Sequence, residues 1–84
     1  MEEMTSANIG YIMGSPQRER VLQILGSKGS LSSERIAKIE HIPAPGVKRI
    51  LEEMSERQIV SQSAGAWTLT EMGKEVEREI KKRA

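Results

Sequence analysis

Hydrophobic residues recur at helical spacing in four stretches of this chain, and two short β-prone runs lie between the third and the fourth stretch. Spacing at i, i+3, i+4 and i+7 is typical of a helix that buries one face. The positions on the predicted buried faces are Val21, Leu22 and Leu25; Ile36 and Ala37; Val47, Ile50, Leu51 and Met54; and Leu69, Met72, Val76 and Ile80. The pattern therefore predicts four amphipathic helices around a shared core.

Capping residues predict where these helices begin and end. Ser15-Pro16 offers an N-cap followed by a proline at the first helical position, and glycines at 26 and 29 end that helix. Ser32-Ser33 caps a short helix over 33–40, and Pro43 stops it, because a residue before proline is pushed out of the helical conformation. The third helix begins near Ala44-Pro45 and runs to about Gln58, so that it covers about 45–58.

The β-prone runs predict a hairpin. Ile59-Val60 and Trp67–Leu69 form its strands, with a tip at 64–66, and the chain leaves the hairpin as a helix at Thr70. Leu31 is a short extended residue between the first two helices. The predicted fold class is mainly α with a small β-hairpin, in the order helix, short strand, helix, helix, strand, strand, helix.

Residues 1–14 form a separate segment in this interpretation, ahead of a domain over 15–84. The segment is polar at first and then carries Ile9, Tyr11, Ile12 and Met13. Two interpretations are equally good: a partly ordered extension that packs one apolar turn on the domain, or a dimerisation segment. In the second, residues 9–13 and the helix that carries Met72, Val76 and Ile80 form a homodimer.

Composition excludes several classes of function. With 84 residues, the chain is one small domain. It has no Cys and a single His, His41, so neither a disulfide nor a metal site is expected. No apolar run approaches the roughly 20 residues that span a bilayer, and the acidic N-terminus argues against a signal peptide. No nucleophile–base set or phosphate-binding glycine loop is visible. We expect a cytoplasmic protein that is not an enzyme and binds no cofactor.

Three local motifs carry a family resemblance. They are Gly14–Leu22 (GSPQRERVL), Leu31–Ala37 (LSSERIA), and Val47–Met54 followed by Ile59-Val60 and Trp67–Gly73 (WTLTEMG). In this order they resemble winged helix-turn-helix transcription regulators of the MarR and ArsR types, including small archaeal regulators. The resemblance implies a three-helix core, a wing of two to three strands, a C-terminal helix, and binding to double-stranded DNA.

Helix-turn-helix proteins place the N-terminal part of their second helix in the major groove. Here that part presents Pro45, Lys48 and Arg49. Arginine and lysine side chains bind guanine edges or phosphates. Arg35 and Lys38 on the preceding helix are expected to contact the DNA backbone, and Gln62 and Ser63 are expected to contribute from the wing.

Charge leaves alternatives open. Net charge is only +1, and between residues 32 and 60 five cations face five glutamates. They are Arg35, Lys38, Lys48, Arg49 and Arg57 against Glu34, Glu40, Glu52, Glu53 and Glu56. DNA binding then requires that the glutamates are segregated from the cations, with Glu53 and Glu56 turned away from the DNA-facing surface. The alternatives are a plain solvated helix face, or a protein-interaction module of a larger replication, transcription or repair assembly, with its partner on the uncharged wing or the recognition-helix groove. An exposed apolar patch around Ile39, Ile42 and the wing would favour the interaction module.

Overall fold

The computed structural model describes residues 2–83 as five helices and a three-stranded antiparallel sheet. Met1 and Ala84, the outer ends of the predicted segments 1–14 and 15–84, lie outside the described residues. The helices are α1 (Glu2–Met13), α2 (Pro16–Lys28), α3 (Ser33–Glu40), α4 (Ala44–Glu56) and α5 (Glu71–Lys82). The strands are β1 (Ser30–Leu31), β2 (Val60–Ser63) and β3 (Ala66–Leu69). This arrangement is the predicted winged-helix fold.

Side-chain caps begin three of the helices. The Ser15, Ser32 and Thr70 side chains accept from backbone N–H groups three residues later, with N···O distances of 3.4, 3.2 and 3.0 Å. These bonds satisfy donors that have no partner inside a helix. The predicted starts at these three positions are confirmed. The third predicted helix, α4, ends at Glu56, two residues before the expected Gln58, because Gln58 adopts a positive φ of 64°.

The sheet has the order β1-β3-β2, so that β3 is its central strand. Trp67 lies opposite Leu31 on one side and Gln62 on the other. The two residues of the β2–β3 turn, Ala64 and Gly65, both have positive φ, at 53° and 80°. That pair of angles suits the right-handed twist of a two-residue hairpin. The wing therefore has three strands, and its tip is the predicted one.

One core joins all five helices and the sheet. Its fully buried members are aliphatic or Met side chains from α1 to α5: Ile12, Val21, Leu22, Leu25, Ile36, Val47, Leu51, Met54, Ile59 and Val76. Trp67 and Leu69 bury the inner face of β3 against the same core. The amphipathic faces predicted from spacing are confirmed at these positions.

Residues 2–13 form a full helix rather than a partly ordered extension. Ile9 and Ile12 of α1 are buried in the same cluster as Val76 and Ile80 of α5, so the core continues across the predicted boundary at residue 14. Most of the apolar residues assigned to a dimer interface are thus used within one chain. The physical reason is that α1 packs along both α2 and α5, where Ile9 and Ile12 join the core.

A glycine allows α5 to begin against the sheet. The Ile59 carbonyl oxygen accepts from the Thr70 backbone N–H at 3.0 Å, and it lies where a Cβ on Gly73 would be only 2.1 Å away. The Thr70 hydroxyl donates to the Gln58 carbonyl oxygen at 2.5 Å. The segment Leu69–Gly73, where the chain leaves the wing, therefore holds the start of α5 against the Ile59 backbone, at a distance that only glycine permits.

Within residues 2–83 no helix is both long enough and apolar enough to cross a membrane.

Candidate nucleic-acid interface

The outward face of α4 is set by the residues that α4 buries. Val47, Ile50, Leu51 and Met54 point into the core. The opposite, exposed side is a stripe of residues one turn apart, which we call the α4 stripe: Ala44, Pro45, Lys48, Arg49, Glu52 and Glu56. The structure thus places the predicted residues Pro45, Lys48 and Arg49 together on one solvent-exposed surface.

Side-chain chemistry changes in order along the α4 stripe. Its N-terminal end is uncharged, at Ala44 and Pro45; its middle is cationic, at Lys48 and Arg49; and its far end is acidic. At 1.5 Å per residue, Glu52 lies about 12 Å along the axis from Ala44. A helix entering a groove with its N-terminus first would carry its cations in and leave its carboxylates near the rim.

The preceding helix adds two further cations. Arg35 and Lys38 are exposed on α3, which packs against α4. Neither these two side chains nor Lys48 and Arg49 form an ion pair with any described residue. All four cations therefore remain available to an external anion.

Two of the glutamates in this region are bound by side chains of other helices. Glu40 accepts from Arg20 Nε at 3.1 Å, and a second Arg20 nitrogen donates to the Glu40 carbonyl oxygen. Glu53 accepts from the Tyr11 hydroxyl at 2.7 Å and lies 4.0 Å from the Arg18 guanidinium. Glu40 is therefore turned away from the surface, and Glu53 is bound while its side chain remains 43% exposed. Glu56, expected to turn away, is exposed on the α4 stripe.

Arg57 belongs to a different cluster from the other predicted cations. Its guanidinium stacks on the Tyr11 ring at 3.9 Å from the centroid and donates to Asn8 Oδ1 at 3.3 Å. With Arg57, Glu40 and Glu53 accounted for, the exposed helix-turn-helix surface has four cations against three carboxylates, Glu34, Glu52 and Glu56. Positive and negative charges are nearly equal in number on this surface, so their order along α4 matters more than its net charge.

Tyr11 is the centre of a contact that fastens α1 to α4. Its ring lies between the guanidinium groups of Arg18, at 4.0 Å, and Arg57. Burial, followed by the hydrogen bond to Glu53 and the charge of that carboxylate, raises the pKa of Tyr11 to about 12. The buried Asn8 completes the contact by donating to the Arg57 carbonyl oxygen at 3.2 Å. No spacing in the sequence indicates this cluster, because its partners are 42 and 49 positions apart.

The wing offers polar but uncharged groups. Ser61, Gln62 and Ser63 are exposed on β2, an edge strand of the sheet. The predicted residues Gln62 and Ser63 therefore face solvent, on an element separate from the α4 stripe. The apolar patch that would favour a protein partner is reduced to one residue, since Ile42 is buried while Ile39 is 37% exposed.

The first turn of α4 has no side-chain cap. Pro43 occupies the N-cap position, and no side chain accepts from the first N–H groups of the helix. Such groups, with the positive end of the helix dipole, favour a nearby anion. His41, in the preceding turn, is exposed and adopts a left-handed conformation as the C-cap of α3. Across residues 2–83 no three His, Cys, Asp or Glu side chains are grouped as metal ligands.

Comparison with solved structures finds a protein of the same fold. The chain is similar to the crystal structure of ligand-free NadR, with a TM-score of 0.79 and 21% sequence identity. The match covers 98% of this chain and 65% of the NadR chain. No protein-family model matches the sequence. No curated protein matches it either. At this identity the likeness to NadR shows a shared winged-helix fold.

Proposed function

We propose that this protein is a DNA-binding transcription regulator of the cytoplasm that places α4 in the major groove of a duplex. The observation that carries the proposal is the set of four exposed cations on α3 and α4 that form no ion pair within the described chain. Surface ion pairs are weak, because ordering two side chains offsets most of the attraction. Six of the other nine cations of this chain nevertheless lie within 4.0 Å of a glutamate. Duplex DNA supplies a dense row of phosphates to which such cations bind.

In the proposed complex each predicted residue has a distinct task. Lys48 and Arg49 bind guanine edges or phosphates inside the groove, where a guanidinium can form two parallel hydrogen bonds to one guanine. Arg35 and Lys38 hold the backbone beside the groove and set the register. Gln62 and Ser63 bring the wing alongside the backbone.

Duplex binding by matched charge variants tests this proposal. Fluorescence anisotropy with a labelled random-sequence duplex compares wild type, Lys48→Ala/Arg49→Ala, and Lys81→Ala/Lys82→Ala. Both variants lose two positive charges, but Lys81 and Lys82 are paired with glutamates on α5. We expect the α4 variant to bind about tenfold or more weakly at ~50 mM salt, with a shallower salt dependence. The α5 variant should bind nearly as wild type. Equal losses in both variants, or a wild type that binds no duplex, would refute the proposal.

A dimer would double the DNA footprint, and we propose a second copy as the partner along α1 and α5. The support is a groove of about 780 Å³ between these helices, lined by Met4, Ile9 and Met72 among charged neighbours. Met4 and Met13 are also 41% and 49% exposed. Sedimentation should give a dimer mass for wild type and a monomer mass for Met4→Glu/Met13→Glu. A monomeric wild type would contradict this part of the proposal.

The alternative function, a protein-interaction module, is supported by the wing. The edge strand β2 carries no charge and no proline, the features that usually prevent an edge from pairing with another strand. Under this alternative a partner chain adds a strand beside Val60–Ser63. Gln62→Pro removes an N–H that points away from β3, so in that case it would abolish partner binding without breaking a β2–β3 hydrogen bond.

A further inference from the structure

We infer that the tip of α4, formed by Ala44 and Pro45, reads the C5-methyl group of thymine in the major groove. This inference rests on the proposed docking of α4 and adds the class of base that the tip selects. It concerns the uncharged end of the α4 stripe, for which the phosphate contacts above provide no role.

The tip can offer bases only hydrocarbon surface. Ala44 and Pro45 are both exposed, and neither side chain has a hydrogen-bond donor or acceptor. The next residue, Gly46, has no side chain. Base edges in the major groove present donors, acceptors and one apolar group, the methyl of thymine. The thymine methyl is therefore the feature of the groove that matches these two side chains.

The tip is also held rigidly, so it presents a fixed shape. Pro43, at the N-cap, has φ −54°, and the Pro45 ring restricts the backbone two residues later. Ile42 is 3% exposed and anchors the turn in the core, and a Cβ on Gly46 would lie 3.7 Å from its Cγ2 atom. A contact made by a preorganised surface loses little conformational entropy.

The position of the cations supports the same orientation. Lys48 is one turn behind Ala44, and Arg49 is one turn behind Pro45, on the same exposed stripe. One turn is about 5.4 Å along the axis. When both cations reach phosphates or a guanine, the tip lies ahead of them, deeper in the groove, where the C5 substituents of pyrimidines are located. A 5-methylcytosine carries the same methyl group, so the shared chemistry is a C5-methylated pyrimidine, and we assign thymine as its source.

Paired duplexes that differ only in methyl groups test the inference. A random duplex library is enriched once for binding to the wild-type protein, and an enriched duplex is then made with thymine or with deoxyuridine. A second pair has cytosine or 5-methylcytosine. Losing one buried methyl should weaken binding about fourfold, the transfer free energy of a group of that size. Pro45→Ser and Ala44→Gly should reduce this ratio toward one, while Lys48→Ala should weaken binding to both duplexes and keep the ratio.

The outcomes separate this inference from the proposed function. If wild type binds no member of the library, the proposed function fails and the inference fails with it. If wild type binds duplexes with thymine and deoxyuridine equally, or if the ratio survives in both tip variants, only the inference is refuted. An effect confined to the cytosine pair would likewise refute thymine as the base that is read. Circular dichroism of each tip variant verifies that α4 still forms.

Discussion

Two surfaces of this protein carry similar cations and differ in how those cations are neutralised. On α5 four cations each pair with a glutamate three or four residues earlier: Lys74–Glu71, Arg78–Glu75, Lys81–Glu77 and Lys82–Glu79. On α3 and α4 four exposed cations form no ion pair with a described residue. Net charge is nearly the same in both regions, so composition alone does not separate them.

The difference indicates what each surface is suited to. Pairs along one helix stabilise it by only about 0.3–0.5 kcal/mol each, but they leave little charge for a partner. On α4 the carboxylates lie at the far end of the stripe or, like Glu53, are bound to another helix. Separation of cations from carboxylates along the axis of α4 produces a directional electric field. The alternating ion pairs along α5 produce no such field.

The largest expected effect is on the anchoring of α5. Gly73→Ala places a Cβ against the Ile59 carbonyl oxygen, which is backbone and does not yield easily. We expect a loss of about 3 kcal/mol or more in the free energy of unfolding, measured by urea denaturation with circular dichroism. Gly10→Ala in α1 is the matched control, because open space surrounds Gly10. It should stabilise by about 0.5–1 kcal/mol. Similar changes in the two variants would show that α5 does not pack this closely.

An intermediate effect is expected at Tyr11, whose hydroxyl binds Glu53 of α4. Tyr11→Phe keeps the ring between Arg18 and Arg57 but loses the hydrogen bond to Glu53, and should cost about 1 kcal/mol of stability. The released carboxylate should also weaken duplex binding slightly. Unchanged stability at neutral pH would contradict the assigned hydrogen bond.

The same contact predicts a pH dependence. The pKa of Tyr11 is raised to about 12 in the folded state, above its ordinary value of 10.0, so the folded protein holds this proton more tightly. The resulting stabilisation is complete below pH 10 and is lost as pH rises from about 10 to 12. Urea midpoints of wild type and Tyr11→Phe should therefore converge over this range. Parallel curves would exclude Tyr11 as the titrating group.

The smallest expected effect compares one carboxylate on each surface. Glu52→Gln removes an unpaired charge from the α4 stripe and should strengthen duplex binding about threefold, the effect of one unit charge at ~7 Å in water. Glu79→Gln removes the partner of Lys82 on α5 and should leave duplex binding unchanged. Anisotropy titrations at low salt measure both, and an equal gain from the two variants would remove the distinction between the surfaces.

Local signals explain how much of the fold was predictable. The spacing of Val47, Ile50, Leu51 and Met54 and the caps at Ser15 and Thr70 depend on neighbours within one or two turns, so the sequence alone indicates them. The partner of Glu79 is less predictable, since Lys82 and Arg83 both lie within one turn of it and the pair forms with Lys82.

Long-range contacts explain what was missed. The apolar residues within 2–13 are not segregated to one helical face, and two glycines lie in or beside the segment, so no clear stripe predicts α1. Asn8 is 2% exposed, and its partner, Arg57, is 49 positions away. The candidate interface is intermediate in this respect. Its cations follow from the helical spacing of α3 and α4, but the contact of Glu53 depends on Tyr11, on a helix that the sequence does not indicate.

The placement of Trp67 in the central strand β3 has a practical consequence. It is the single tryptophan of the chain, as Tyr11 is the single tyrosine, and there is no phenylalanine. Each optical signal therefore originates from one known place: tryptophan emission from the buried centre of the sheet, and tyrosine absorbance from the junction of α1 with α4. Coincident transitions at the two wavelengths would identify the whole protein as one cooperative unit. The native chain thus contains two intrinsic chromophores that report separately on the wing and on the junction of α1 with α4, with no added label.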